Sequence, residues 1–425
     1  MLRGQLRAFA FRFLSAWLLL YWQGICLILT PVVGGQLYRT YYEPIWNTPT
    51  RWFAMYALGM GHPVPNHLTE GSDTQYYWTR DLLFVVLALL VALVWTALRR
   101  QHRPAGRAWG WLWLAMRLVL GMQMSTYGAA KLFPAQMSEL MPSQLLTRIG
   151  DQTPMQVLWH SMSAAPWYES ATGLVELSSG ILLALPGVWT IGAALAVIAM
   201  GQVTLLDLFY DVPVKLHCTH LLAMAVILLL PHASRLWDVL VANRATLPLP
   251  KVSLTGKRSW DRAVAAAAAL IVAVFAAGAL TASRAAYSLF GPDRPKPQFY
   301  GAWKARGPAA VGYFIVDGYD PEALFAGADL QHAEVSVVLE LADGSVQRLA
   351  AEIDRQGRQL VLTAPKHPGT RTTLRYDELG PDQIKLSGEC LGPPFELVFD
   401  RVRLDQLPLV KDRGVHWVDE APVEE

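Results

Sequence analysis

The sequence predicts an α-helical membrane bundle of about seven transmembrane helices followed by a small antiparallel β-barrel or sandwich. Three observations predict it. Only 16% of the 425 residues are charged while 53% are hydrophobic, with a mean hydropathy of +0.26; a soluble domain carries roughly a quarter charged residues. Charge is segregated: residues 291–425 hold 22 acidic and 15 basic residues, a net of −7, and the rest of the chain is basic by +9. Finally, long apolar runs fill the first two thirds, and alternating runs fill the last.

A helix crosses a hydrocarbon layer of about 30 Å with roughly 20 apolar residues. The segments 13–33, 81–98, 109–132, 170–187, 189–206, 216–231 and 263–282 meet or approach that length. Arg3, Arg7 and Arg12 precede the first, which is longer than a signal-peptide core and lacks a small-x-small cleavage site, so it reads as an uncleaved span. With the N-terminus inside, Arg99, Arg100, Arg103, Arg107 and the basic residues from Arg235 to Arg262 also face the cytoplasm. The loops on the other side keep mainly Arg39, Arg51, Arg80, Arg148 and Lys215. That bias follows the positive-inside rule and puts the C-terminal domain outside the cytoplasm of a bacterial inner membrane. Trp78, Trp95, Trp109, Trp111, Trp189 and Trp260 lie near the expected helix ends, as an interfacial belt requires. Outside loops run over 34–80, where Arg51–Met60 reads as a short interfacial or re-entrant helix, and over 134–168, with Trp159, His160 and Trp167.

GPDRPKP, from Gly291, is a semi-rigid linker. Beyond it, 334–341 alternates apolar and polar residues and an Asp343–Gly344 turn leads into 345–353, a hairpin signal. Further strands are expected at 311–317, 359–364, 371–376, 383–387 and 395–402. About seven strands in this length suffice for a core of their own. The domains expected are therefore 1–108, 109–235, 236–290 and 291–425. Nothing basic and aromatic-interleaved points to nucleic acid. Cys26, Cys218 and Cys390 form neither a disulfide framework nor a zinc pattern.

Ionisable groups within spans are expensive and mark function or pairing. Arg117 is expected to snorkel toward the cytoplasm. A second group gathers toward the outer face: Tyr127, Lys131, Glu176, Gln202, Asp207, Asp211, His217 and His220. Lys131 and Glu176 can pair as a structural clasp or as part of a ligand site. His217 and His220 share a helix face, a spacing that with nearby carboxylates only weakly suggests a metal; interfacial hydrogen bonding is the first reading of these imidazoles, with proton handling or a quinone headgroup behind it. Gly121, Ser125 and Gly128, with Gly173 and Gly180, are expected to let two helices pack closely.

The stretch RLVLGMQMSTYGAAKLF (117–133), together with GLVELSSGILLALPGVWTIGAALAVIAMGQV (173–203), resembles the helices of the DoxX-like membrane proteins. His217–Pro231 supplies a fourth helix, so the resemblance covers about 112–235. KLSGE and the terminal HWVDEAP resemble the lipocalin-like barrel attached to larger members. The resemblance implies a four-helix core with Lys131 and Glu176 as its polar residues. It also implies a role like the membrane subunit of thiosulfate:quinone oxidoreductase, or like a partner in oxidative-stress complexes. Two N-terminal spans, a seventh span and the outer domain exceed that four-helix unit. A quinone is the cofactor this reading allows; no residue set specifies a haem, an iron–sulfur cluster or a nucleotide, so any electron donor's cofactor belongs to another protein. The competing class is a non-enzymatic anchor or scaffold that presents the β-domain to a periplasmic partner or small ligand. A transporter would want a continuous polar path, and only Arg117 lies toward the inner half.

Overall fold

In the computed structural model, residues 2–28, 34–60, 73–99, 106–247, 252–307, 311–318, 335–364, 367–389 and 394–411 are described. Arg100, Arg103, Cys390 and the HWVDEAP stretch lie outside them. The chain forms two compact units, one of Met1–Ala129 with Thr172–Leu280, the other of Ala130–Ala171 with Thr281–Glu425.

The first unit is helical. Its elements are α1 (Leu2–Ile28), then α2 (Gly34–Leu37) and α3 (Glu43–Trp52), α4 (Gln75–Leu98), and α5 (Gly106–Leu132), whose last three residues fall in the other unit. The chain between α5 and α8 belongs to the second unit and holds α6 (Pro142–Leu146) and α7 (Pro154–Ala164). The helices α8 (Pro166–Ala184), α9 (Trp189–Phe209), α10 (Lys215–Leu229), α11 (Ala233–Leu240) and α12 (Arg258–Phe290) complete the series. Among the described residues four helices are long and apolar enough to cross a membrane: Gln75–Leu98, Trp189–Phe209, Lys215–Leu240 and Arg258–Phe290. The Arg51–Met60 expectation is corrected. Helix already begins at Gly34 and continues through π-helical turns at Tyr38–Tyr42 and Phe53–Ala57. Pro44 and Pro49 both lie within this helical stretch.

Glycine positions the bundle. A Cβ on Gly128 would collide with Leu177 N and lie 2.7 Å from the Gly173 carbonyl. One on Gly180 would lie 2.7 Å from the Gly121 carbonyl and 2.9 Å from Ser125 N. The α5–α8 seam is thus backbone on backbone, as the small residues foretold. Arg117, expected to snorkel, instead donates from Nε to the Leu183 carbonyl at 2.8 Å, with its guanidinium 5.1 Å from the Trp189 ring centroid. It satisfies a carbonyl left open in the last turn of α8.

The second unit contains a closed barrel of eight antiparallel strands in sequence order. They are β1 (Gly301–Ala305), β2 (Val311–Asp317), β3 (Val335–Leu341), β4 (Val346–Asp354), β5 (Gln359–Ala364), β6 (His367–Gly380), β7 (Gln383–Gly388) and β8 (Phe395–Arg401). Closure comes from β1 pairing with β8, Trp303 opposite Arg401. The sandwich alternative is therefore set aside, and the strand the sequence reading missed is β1, a five-residue segment too short to show alternation. Period-two alternation sends Trp303, Phe314, Val316, Val337, Leu339, Leu360, Leu362, Leu374, Ile384, Leu386 and Phe399 inward, each nearly or fully buried. Eight strands enclose a width that side chains can fill, and here they fill it. Phe314→Ala is expected to lower the barrel's stability by about 3–5 kcal/mol, read as an earlier thermal transition in the β-sheet circular dichroism of the intact protein.

Part of the barrel's outer face is also covered. Ala302, Ile315 and Val338 form a small apolar cluster on the strands' outer side, joined by Leu146 of α6. Asp317, only 3% exposed, accepts a hydrogen bond from Ser143 N–H at 3.0 Å and another from the Ser143 hydroxyl. Burial pushes the Asp317 carboxyl above its ordinary 3.8, against the opposing pull of the two Ser143 bonds. Because the folded unit then holds this proton more tightly than the unfolded chain, the stability it adds is complete below pH 3.8. That contribution is lost as pH rises through the elevated value. Asp317→Asn should remove that pH-dependent component, measured as melting temperature against pH from 3.5 to 7.

Candidate functional site

The polar groups of the helical unit meet at the N-terminal end of α10. Lys215 and Leu216 donate their backbone N–H groups to Asp73 at 2.6 and 3.0 Å, so a carboxylate satisfies the open first turn of that helix. One turn on, His217 and His220 project from α10 onto aromatic rings of α1. The His220 ring stacks on Tyr21 with centroids 3.8 Å apart and planes 8° apart, and on Trp17 at 5.7 Å. His217 lies 5.7 Å from Trp22 and 5.8 Å from Tyr127 of α5. His220 Nδ1 is 2.7 Å from the Leu216 carbonyl. A carbonyl only accepts, so Nδ1 carries the hydrogen and Nε2 of the neutral ring is left as an acceptor.

Two buried carboxylates lie near Tyr127. Glu176 of α8 and Asp207 of α9 are 2% and 4% exposed, and both lie within electrostatic reach of Tyr127, as does Cys218. The structure thus brings together Tyr127, Glu176, Asp207, His217 and His220 from four helices, and adds Trp17, Tyr21 and Trp22 from α1. Two of the others face outward. Gln202 is on the exposed side of α9 beside Ile198 and Leu205. Asp211, 83% exposed in its side chain, pairs with Lys215 at 2.7 Å on the surface. Lys131 belongs to the second unit, where Glu169, buried and bonded to Met137 N–H at 3.2 Å, is a carboxylate within its electrostatic reach. Since exposed ion pairs contribute little, Asp211→Asn should change stability by less than about 1 kcal/mol in a detergent melt.

Sequence reasoning missed the α1 aromatics and Asp81 of α4. A signal existed for both: Trp17, Tyr21 and Trp22 sit inside a span rather than at its ends, and Asp81 is a carboxylate at the start of one. Among the described residues no group of three or more His, Cys, Asp and Glu side chains is arranged to hold a metal ion. Compared with protein-family models, curated proteins and solved structures, the chain matches none.

Proposed function

We propose that this chain is a seven-span protein of the bacterial inner membrane, DoxX-like in its core, that binds the headgroup of a quinone or similar lipid-soluble redox partner near the outer face and exchanges its protons. The observation that carries the reading is the convergence of Tyr127, Glu176, Asp207 and His217 from four helices in a chain region built for lipid. Buried ionisable groups at such a depth persist where they serve a ligand or a proton path. A quinol that yields its two electrons also sheds two protons. The carboxylates and imidazoles would accept the protons, and the electrons would leave to a redox protein on another chain.

Contacts within each unit support seven crossings, because two groups that touch lie on one side of the membrane. Ser143 bonds Asp317, and three of the four long apolar helices lie between them; an even number of crossings then calls for α8 as a fourth. Asp73 bonds Lys215, with α4, α5, α8 and α9 between them, which calls for α5. Arg12 bonds Thr96 at 2.7 Å and the Arg99 carbonyl at 3.1 Å, which calls for α1 as the partner crossing to α4. The positive-inside bias then assigns the N-terminus to the cytoplasm and the barrel to the periplasm.

The scaffold reading keeps one observation in its favour: the barrel's interior is packed with side chains, which suits a docking module for a periplasmic partner better than a carrier of small apolar ligands. The discriminating experiment titrates a short-chain benzoquinone into purified protein in nanodiscs. The quinone reading expects saturable binding that falls at least about tenfold in Glu176→Gln while the melting temperature holds. Absence of binding by well-folded wild type would sink it and leave the scaffold.

A further inference from the structure

Among the buried polar atoms of α1 and α4 that lack a hydrogen-bond partner among the described residues, two lie beside the cluster of rings. Trp22 of α1 is 1% exposed and its Nε1–H has no hydrogen-bond acceptor among the described residues. Asp81 of α4 is 6% exposed and lies within electrostatic reach of Arg80, and its Oδ1 has no hydrogen-bond donor among the described residues. A buried donor or acceptor left unmade costs about 1–3 kcal/mol, so two of them beside one cluster of rings call for an occupant. Both border the cluster already described. The Trp22 ring stands edge-on to Tyr21 at 5.1 Å and close to His217, and Tyr21 is within electrostatic reach of Asp81. Packing of α1 along α4 holds the two helices together here.

We infer that the site extends onto α1 and α4, with the Trp22 indole N–H donating to a ligand oxygen and the Asp81 carboxylate accepting from a ligand hydroxyl. The two atoms have opposite character, one donor and one acceptor, and the surroundings are flat rings. That combination specifies a planar ring bearing both an oxygen acceptor and an O–H donor, the chemistry of a quinone–quinol pair in its half- or fully reduced forms. A purely apolar ligand would leave both atoms unsatisfied, and a cation would leave Trp22 so. The inference rests on the quinone reading above and deepens it, since it assigns specificity to helices that a four-helix core lacks. It also gives α1 a role beyond spanning: its Trp17 and Tyr21 hold the His220 ring flat.

The test compares wild type, Trp22→Phe and Asp81→Asn in nanodiscs, titrated with a short-chain benzoquinone and with its quinol. Both replacements nearly conserve volume, and melting temperatures establish which variants are folded. Loss of the indole donor in Trp22→Phe, and of the carboxylate charge behind the acceptor in Asp81→Asn, should each weaken binding roughly tenfold, Trp22→Phe for quinone and quinol alike and Asp81→Asn more for the quinol. In parallel, the indole ¹H–¹⁵N signal of Trp22 in wild type should move downfield on saturation, a readout that stands even if Trp22→Phe does not fold. Binding by wild type with equal affinity in the folded variants and an unmoved indole signal would overturn the extension, water being the occupant, and leave the quinone reading intact. Absence of binding by wild type would overturn both.

Discussion

Replacing Gly128 with valine is expected to abolish folded protein, whereas the same change at Gly201 leaves it near the wild-type level. Both glycines lie in apolar helices of the same unit, so hydropathy and helix propensity treat them alike. Their surroundings differ. A side chain on Gly128 meets the backbone of α8 at Leu177 and Gly173, whereas one on Gly201 meets nothing within 4 Å. Backbone cannot turn aside as a flexible side chain can, so the two helices must separate, breaking the contacts around Gly180, Gly121 and Ser125 on the same seam. The cost is about 3 kcal/mol or more, enough to remove most of a marginally stable fold. Monodisperse protein recovered after detergent extraction measures it. Wild-type recovery of Gly128→Val would show that α5 and α8 do not meet through backbone, and the site would lose its frame, since Tyr127 and Glu176 are adjacent in sequence to the two sides of that seam.

The same seam shows what the sequence could tell. Glycine and serine at spacings of three and four announce a contact face in lipid, and the partner glycines of α8 are spaced to match. Strands 335–341 and 346–354 were legible because period two is a local property, and the Asp343–Gly344 turn between them needs the positive φ of 80° that Gly344 adopts. The helix from Gly34 was not legible in full. Only Arg51–Met60 was read as helical, and the structure carries Pro44 and Pro49 within the longer helical stretch. Barrel closure was equally hidden, because pairing of β1 with β8 joins residues about a hundred positions apart and leaves no local trace.

For the candidate site, type was legible and direction was not. Glu176, Asp207, His217 and Tyr127 were readable as polar groups in apolar segments. Which face of a helix each occupies depends on 100° steps about an axis whose orientation only packing fixes. Gln202 and Asp207 are five residues apart on α9, which places them on opposite sides; Asp207 turns in and Gln202 turns out. Asp211, just past the end of α9, adopts a positive φ of 55° that sends it to the surface beside Lys215. The contribution of α1 escaped because tryptophan and tyrosine within a span are also ordinary core residues, and only the ring geometry at His220 separates the two roles.

Arg294→Ala is expected to destabilise the barrel unit by about 3–5 kcal/mol, the largest effect of any single charge there. The guanidinium is fully buried. Its Nη1 donates to Glu139 and to the Gly291 carbonyl, each at 3.0 Å, and its Nη2 donates to the Tyr300 hydroxyl at 2.6 Å and to the Met141 sulfur at 3.2 Å. One side chain therefore ties the linker that follows α12 to the chain between α5 and α8. Alanine would remove the guanidinium that donates to Glu139 and Tyr300 in a largely dehydrated place. Arg294→Lys should recover little, because an ammonium is a point charge and cannot span acceptors arranged around a planar fork. Arg294→Met combined with Glu139→Gln should recover much of the loss, because it removes both buried charges together rather than stranding one. Thermal melts of the four proteins decide the matter. Equal destabilisation by the single and double variants would mean that packing of the guanidinium, rather than its pairing with Glu139, holds the linker in place. If instead the double variant recovers, the charge pair sets the geometry and fixes the linker to the 130–171 segment.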